Sequence, residues 1–159
     1  MKIIIDTREQ LPLSFTGHET VRCKLDEGDY NIRELEERIC IERKSLADFY
    51  QSITIDHLRF KKEIQRCIDK NKAIYIFIEG TLMQFYDGSP IGKAEGRYRY
   101  DWSPIIIKTR PITLMRIIET MKDRYKIIVI ECITRAIMEE KIVELIDGEL
   151  SKWSKTIKL

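Results

Sequence analysis

Six apolar residues in succession, "AIYIFI" from Ala73 to Ile78, stand between Lys72 and the pair Glu79-Gly80. The run is too short for an ordinary buried helix, is rich in β-branched and aromatic side chains, and lacks the polar alternation of a strand with one wet face. It reads as a strand buried on both faces, the type found in parallel sheets sandwiched between helices. The chain must therefore supply helices for two sides, and its second half does so. A helix opened by Pro111 carries Leu114, Ile117, Ile118 and Met121 on one face, a strand "KIIVIE" follows, and a helix is expected from about Thr134 to Leu150. The expected fold class is α/β, a three-layer arrangement whose first half is a meander of strands. With 159 residues and 43% hydrophobic content, there is interior enough for one such domain spanning residues 1–159.

The first half begins with "KIII" ending at Asp6, a buried strand, and "TVRCKL" from Thr20 to Leu25, with Val21, Cys23 and Leu25 on one face. A turn at Glu27-Gly28 and a short strand at "YNI" lead to "RICIER", Arg38 to Arg43, which alternates in strand fashion. "SLADFYQSI" then reads as a helix with Ser45 as N-cap. Phe60, Ile64, Cys67 and Ile68 form the apolar stripe of a helix from about Asp56 to Lys70. The longest expected loop runs from Asp87 to Pro104.

The chemistry gathers at the strand-to-helix junction. Residues two apart on a strand share a face, so Glu42 and Lys44 project together while Arg43 points the other way. Asp29, after a glycine-permitted turn, brings a second carboxylate from the neighbouring strand across a hairpin-sized connection. Two carboxylates and a lysine suit phosphodiester hydrolysis, which needs hard oxygen ligands for Mg²⁺ or Mn²⁺ and a cation near the reacting phosphate. Asp6 and Asp48 extend the acidic cluster toward a second ion. An isolated ExK is most often an exposed ion pair on an edge strand; here the order "DTRE", "EGDY", "IERKSLADF" carries more information than the pair alone.

These segments resemble the nuclease domain of the XPF family of structure-selective endonucleases, whose signature is GDx…ERKxxxD, and especially its small bacterial and phage-type members. "GDY" and "ERKSLAD" match without a gap, "DTRE" is similar to the family's upstream acidic-Arg element, and "RFKKEI" with "IYIFIEG" matches the next helix and strand. The resemblance implies a restriction-endonuclease-like core of the PD-(D/E)xK type with a mixed sheet, and Mg²⁺ or Mn²⁺ as cofactor. It implies Asp29, Glu42 and Asp48 as metal-binding positions, Asp6 in the same pocket, Lys44 as catalytic lysine, and Arg8 and Arg43 as catalytic arginines. For Arg43, strand alternation instead suggests a phosphate or structural contact. Glu9 is either a site residue or a salt-bridge partner of Arg8. The expected partner is DNA, joined by a second copy of the chain or by an accessory DNA-binding or helicase protein, since the ending "SKWSKTIKL" is too short for the helix-hairpin-helix module of larger relatives.

Net charge is only +2, with a pI of about 8.3, so DNA contacts must come from local clusters. Arg59, Lys62 and Arg66 lie at i, i+3 and i+7 on one helix, and "GRYRYDW" interleaves Arg97 and Arg99 with Tyr98, Tyr100 and Trp102. Those compositions suit phosphate contact and base stacking, although a solvated helix face and core packing of the rings explain them as well. His18 and His57 read as surface or core residues, and Cys23, Cys40, Cys67 and Cys132 as reduced thiols. No apolar run is long enough to cross a bilayer, and with only "III" before Asp6 a cytoplasmic location is expected. Three functions remain open: a nuclease for branched or partly single-stranded DNA, a non-catalytic DNA-binding scaffold, and a nuclease for RNA or mismatched duplex.

Overall fold

The structure, a computed structural model, describes residues 1–87, 91 and 107–157. Its centre is the apolar run: β5 (Ala73–Glu79) lies between β4 (Ile39–Ser45) and β6 (Ile128–Cys132), parallel to both. Ile74, Ile76 and Ile78 point to one side of the sheet and Tyr75 and Phe77 to the other, all buried, so both faces need cover. Helices α1 (Leu46–Ile53), α2 (His57–Asp69) and α4 (Pro111–Tyr125) cover the first face. Helix α5 (Arg135–Ile157) covers the second through Met138, Ile142 and Ile146, and the short α3 (Gln84–Asp87) follows β5. The three layers expected from sequence are present, around a mixed sheet.

The six strands run in the order β2-β1-β3-β4-β5-β6. β1 (Lys2–Asp6), β3 (Tyr30–Asn31) and β4 are antiparallel neighbours, as a meander requires. β2 (Glu19–Cys23) departs from the expectation by joining the edge parallel to β1, in register Lys2 with Glu19 through Asp6 with Cys23. Its connection, residues 7–18, passes beneath the sheet and buries Leu13 and Phe15, which lets it return to the start of β1. The strand also stops before Leu25, because the Leu25 N–H is taken by Oδ2 of Asp6 at 2.6 Å.

Helix α2 buries Phe60, Ile64 and Cys67 but leaves Ile68 exposed. Ile68 sits about 80° around the helix from Phe60, the far end of the stripe. Helix α5 extends beyond the expected Leu150, and the Arg38 guanidinium lies 5.2 Å over the Trp153 ring, so Trp153 belongs to a helix packed on the domain. All four cysteines are free thiols. No helix among the described residues is long and apolar enough to cross a membrane.

Candidate active site

Asp29 owes its position to the residue before it. Gly28 adopts φ +80°, and a Cβ there would stand 2.7 Å from the Ile41 carbonyl oxygen, so no other residue fits without displacing β4. The Asp29 N–H donates to Ile41 O at 2.7 Å and its carbonyl accepts from Asp6 N at 2.8 Å, which stitches Asp29 between the body of β4 and the end of β1. The turn is clamped from behind, where Glu27 accepts from Lys70 at 2.7 Å and from the buried Lys72 at 2.9 Å.

Glu42 and Lys44 share a face of β4 with Cys40, toward α2. Lys44 Nζ donates to Glu42 Oε1 at 3.0 Å and lies 5.0 Å from the centre of the Phe60 ring. Asp29 and Glu42 both line one cavity of about 230 Å³, beneath α2 and floored by Cys40 and Glu42 of β4 and by Ile74 and Ile76 of β5. Arg8 stands at its edge. Burial, and then the negative charge of Glu42, push the Asp29 carboxyl well above its usual range, against the pull of the Arg43 N–H. Burial disfavours charge on Lys44 too, but Glu42 overcomes it and the ammonium titrates above its ordinary value.

Arg43 points to the opposite side of β4, as alternation requires. Its guanidinium donates to both oxygens of Glu9, at 3.0 and 3.1 Å, and to Glu79 at 2.7 Å, and Arg135 reaches the same Glu79 oxygen at 2.9 Å. Its side chain is 9% exposed and that of Glu9 5%, so this is a buried ionic knot. Only the main chain of Arg43 touches the site: its N–H donates to Asp29 Oδ2 at 2.8 Å. Glu9 therefore pairs with Arg43 and does not line the cavity, so neither alternative left open for it, a site residue or a partner of Arg8, is what the structure shows. The partner of Arg8 is Asp6, which accepts from its main-chain N–H and its guanidinium. With Leu25 N–H on Oδ2 as well, Asp6 is 1% exposed and committed to holding Arg8, not to lining the cavity.

Asp48 sits in the first turn of α1. Its N–H donates to Ser45 Oγ at 3.0 Å and its Oδ2 accepts from the same hydroxyl at 2.7 Å, a reciprocal cap that makes Ser45 the end of β4 and the start of α1. Asp48 does not line the cavity with Asp29 and Glu42, and among the described residues no three His, Cys, Asp or Glu side chains form a metal-holding group. Arg66 lines the cavity, Lys62 is exposed, and Arg59 is exposed and faces Asp56 and Glu63 at 3.7 and 3.8 Å. Arg97, Arg99, Tyr98, Tyr100 and Trp102 lie outside the described residues. Sequence reasoning did not single out Glu79, Arg135, Glu27 or Lys72; the one signal was the presence of Lys72 and Glu79 at the two ends of the apolar strand.

A family profile described as "ERCC4 domain" matches residues 5–146. Among solved structures, XPF from Aeropyrum pernix is similar with a TM-score of 0.65 and 20% identity, the match covering 94% of this chain and 61% of that one. A second structure, of the same protein in complex with DNA, is similar with a TM-score of 0.65 and 18% identity, covering 95% of this chain and 66% of that one. The chain thus spans less than two thirds of either relative, and at these identities the likeness is one of fold. No curated protein sequence matches the chain.

Proposed function

The chain belongs to the ERCC4-domain family of nucleases, and from that premise we propose that it is a Mg²⁺- or Mn²⁺-dependent endonuclease that hydrolyses phosphodiester bonds in branched or partly single-stranded DNA. One observation carries the reading: Asp29 and Glu42 converge on one cavity beside an Lys44 ammonium bonded to Glu42. Two acceptor-only carboxylates crowded in a desolvated cavity, one of them pushed toward protonation by the other, form a donor set that fits a hard divalent cation. Mg²⁺ commonly needs only one or two protein carboxylates and keeps its waters for the rest. When bound, the cation supplies Lewis-acid polarisation of the phosphate and a water of lowered pKa.

The protein's own groups have separable tasks. The Arg43 N–H fixes the rotamer of Asp29, and Lys44 fixes Glu42 while keeping a positive charge beside the reacting phosphate. Arg8, held by Asp6 and by the Leu25 carbonyl at 2.7 Å, presents its guanidinium at the cavity edge to a substrate phosphate. The match to XPF in complex with DNA adds support for DNA as the polymer.

The test is a matched panel of fork, flap, duplex and single-stranded DNA, with an RNA counterpart, incubated with Mg²⁺, Mn²⁺ or a chelator. Cleavage of fork or flap that stops under the chelator is expected. No cleavage of any substrate would favour the scaffold reading, and cleavage of RNA above DNA would redirect the assignment.

A further inference from the structure

On the other flank of α2 from the catalytic cavity lies a second concavity, a groove of about 530 Å³ between α2 and α4. Its α4 wall is a continuous helical stripe at 113, 116, 117, 120, 121 and 124, which runs the length of that helix. Lys61, Arg116 and Arg124 line it with His57, and none of the described residues lining it is a carboxylate. Among the described residues no ion-pair partner stands against Lys61, Arg116 or Arg124, whereas Arg8, Arg43, Lys44, Lys70, Lys72 and Arg135 are all paired. The floor is apolar, formed by Ile53, Ile117 and Met121, with the Tyr125 ring at one end. Uncompensated cations around an apolar floor complement a ligand that carries anionic charge along one edge and flat apolar faces on the other.

We propose that this groove holds an unpaired DNA strand flanking the scissile bond, its phosphates on Lys61, Arg116 and Arg124 and its bases against the floor. The inference rests on the DNA reading above. Arg116 and Arg124 are eight residues apart on one helix, about 12 Å along its axis, a reach that suits a run of nucleotides rather than a single mononucleotide. The two sites share α2 as a wall: Glu63 and Arg66 face the cavity, His57 and Lys61 the groove. With side chains a helix is about 10–12 Å across, so a strand displaced from the cavity has one helix to cross. Duplex DNA, whose base faces are stacked inside, has nothing to offer the apolar floor.

The test is fluorescence anisotropy of a short oligothymidylate and of a blunt duplex, in chelator and across a salt series, for wild-type protein and for a Lys61→Ala, Arg116→Ala, Arg124→Ala variant whose unfolding midpoint is checked alongside. The expected result is an oligothymidylate affinity at least about tenfold weaker, a salt dependence shallower by about 2 in log–log slope, and a clearly smaller loss on duplex. Should the triple variant fold poorly, Arg116→Glu alone is read for the same selective loss. Unchanged oligothymidylate binding, equal losses on both DNAs, or no oligothymidylate binding by wild type would each overturn the assignment. Because binding is read without metal or cleavage, failure of the groove leaves the nuclease reading intact, and a catalytically inert protein still reports on the groove.

Discussion

The main-chain N–H of Arg43 donates to Oδ2 of Asp29 at 2.8 Å, so one residue serves two sides of the sheet. Its guanidinium locks the knot of Glu9 and Glu79 beneath the sheet, while its backbone orients the carboxylate above it. The site therefore inherits its rigidity from the buried knot, and removal of that knot should be felt first as lost stability.

Arg43→Ala is expected to cost about 3–5 kcal/mol, because it strands Glu9 in a poorly solvated interior and leaves Glu79 with Arg135 alone. Arg43→Lys should recover little of that, since an ammonium cannot reproduce the two-pronged contact with Glu9 while also reaching Glu79. Lys44→Ala should lose less stability but slow the chemical step at saturating metal. Denaturant melts together with single-turnover rates separate the two; an Arg43→Lys protein of wild-type stability would remove the structural role argued for the guanidinium.

Gly28→Ala tests the turn. Its φ of +80° and the 2.7 Å approach to Ile41 O leave no room for a methyl, so the substitution should cost about 2–4 kcal/mol and move Asp29 with it. A thermal melt shifted by less than a degree would show that the turn relaxes freely.

Acid sensitivity follows from Glu9 and Asp6. Burial raises the Glu9 carboxyl, but the Arg43 contacts and the Leu11 N–H outweigh it and leave Glu9 below its usual range; Asp6 is lowered in the same way by Arg8 and Leu25 against its burial. A depressed folded-state pKa adds stability that is present above the unfolded value and is lost as pH falls through the folded one. Glu9→Gln should therefore destabilise strongly at neutral pH and ever less below about pH 4. A penalty that is constant from pH 7 to acid would contradict this linkage.

Asp29 has the opposite sign. Its folded-state pKa is raised, so its charge costs stability once pH exceeds the unfolded value, and acid relieves that cost. Asp29→Asn keeps an oxygen for the Arg43 N–H and should raise the melting point at neutral pH by about 2–4 °C per kcal/mol relieved, with the gain fading on acidification. Mn²⁺ should stabilise wild type and leave Asp29→Asn and Glu42→Gln unmoved in the same melt. Equal Mn²⁺ shifts in all three proteins would place the ion elsewhere.

Much of this was legible locally. Period-2 alternation correctly separated Glu42 and Lys44 from Arg43, the Glu27-Gly28 turn ahead of Asp29 was visible as such, and Ser45 caps α1 because the cap depends on residues three apart. What escaped the sequence was long-range. The partner of Glu9 lies 34 residues away on β4, and β2 pairs parallel because residues 7–18 bury Leu13 and Phe15, a choice that no period encodes. Nothing in the sequence joins Lys61 to Arg116 and Arg124; they meet only because α2 and α4 pack side by side.

The most direct test of the central claim is single-turnover cleavage of a forked DNA by wild type, Asp29→Asn and Glu42→Gln, with Mg²⁺ and with Mn²⁺, DNA binding being monitored in parallel. Wild type should cleave, and each variant should fall by at least about 10²–10³-fold while still binding the fork. Wild-type cleavage rates from either variant would contradict the account, because the carboxylates that converge on the cavity would then have no part in the reaction.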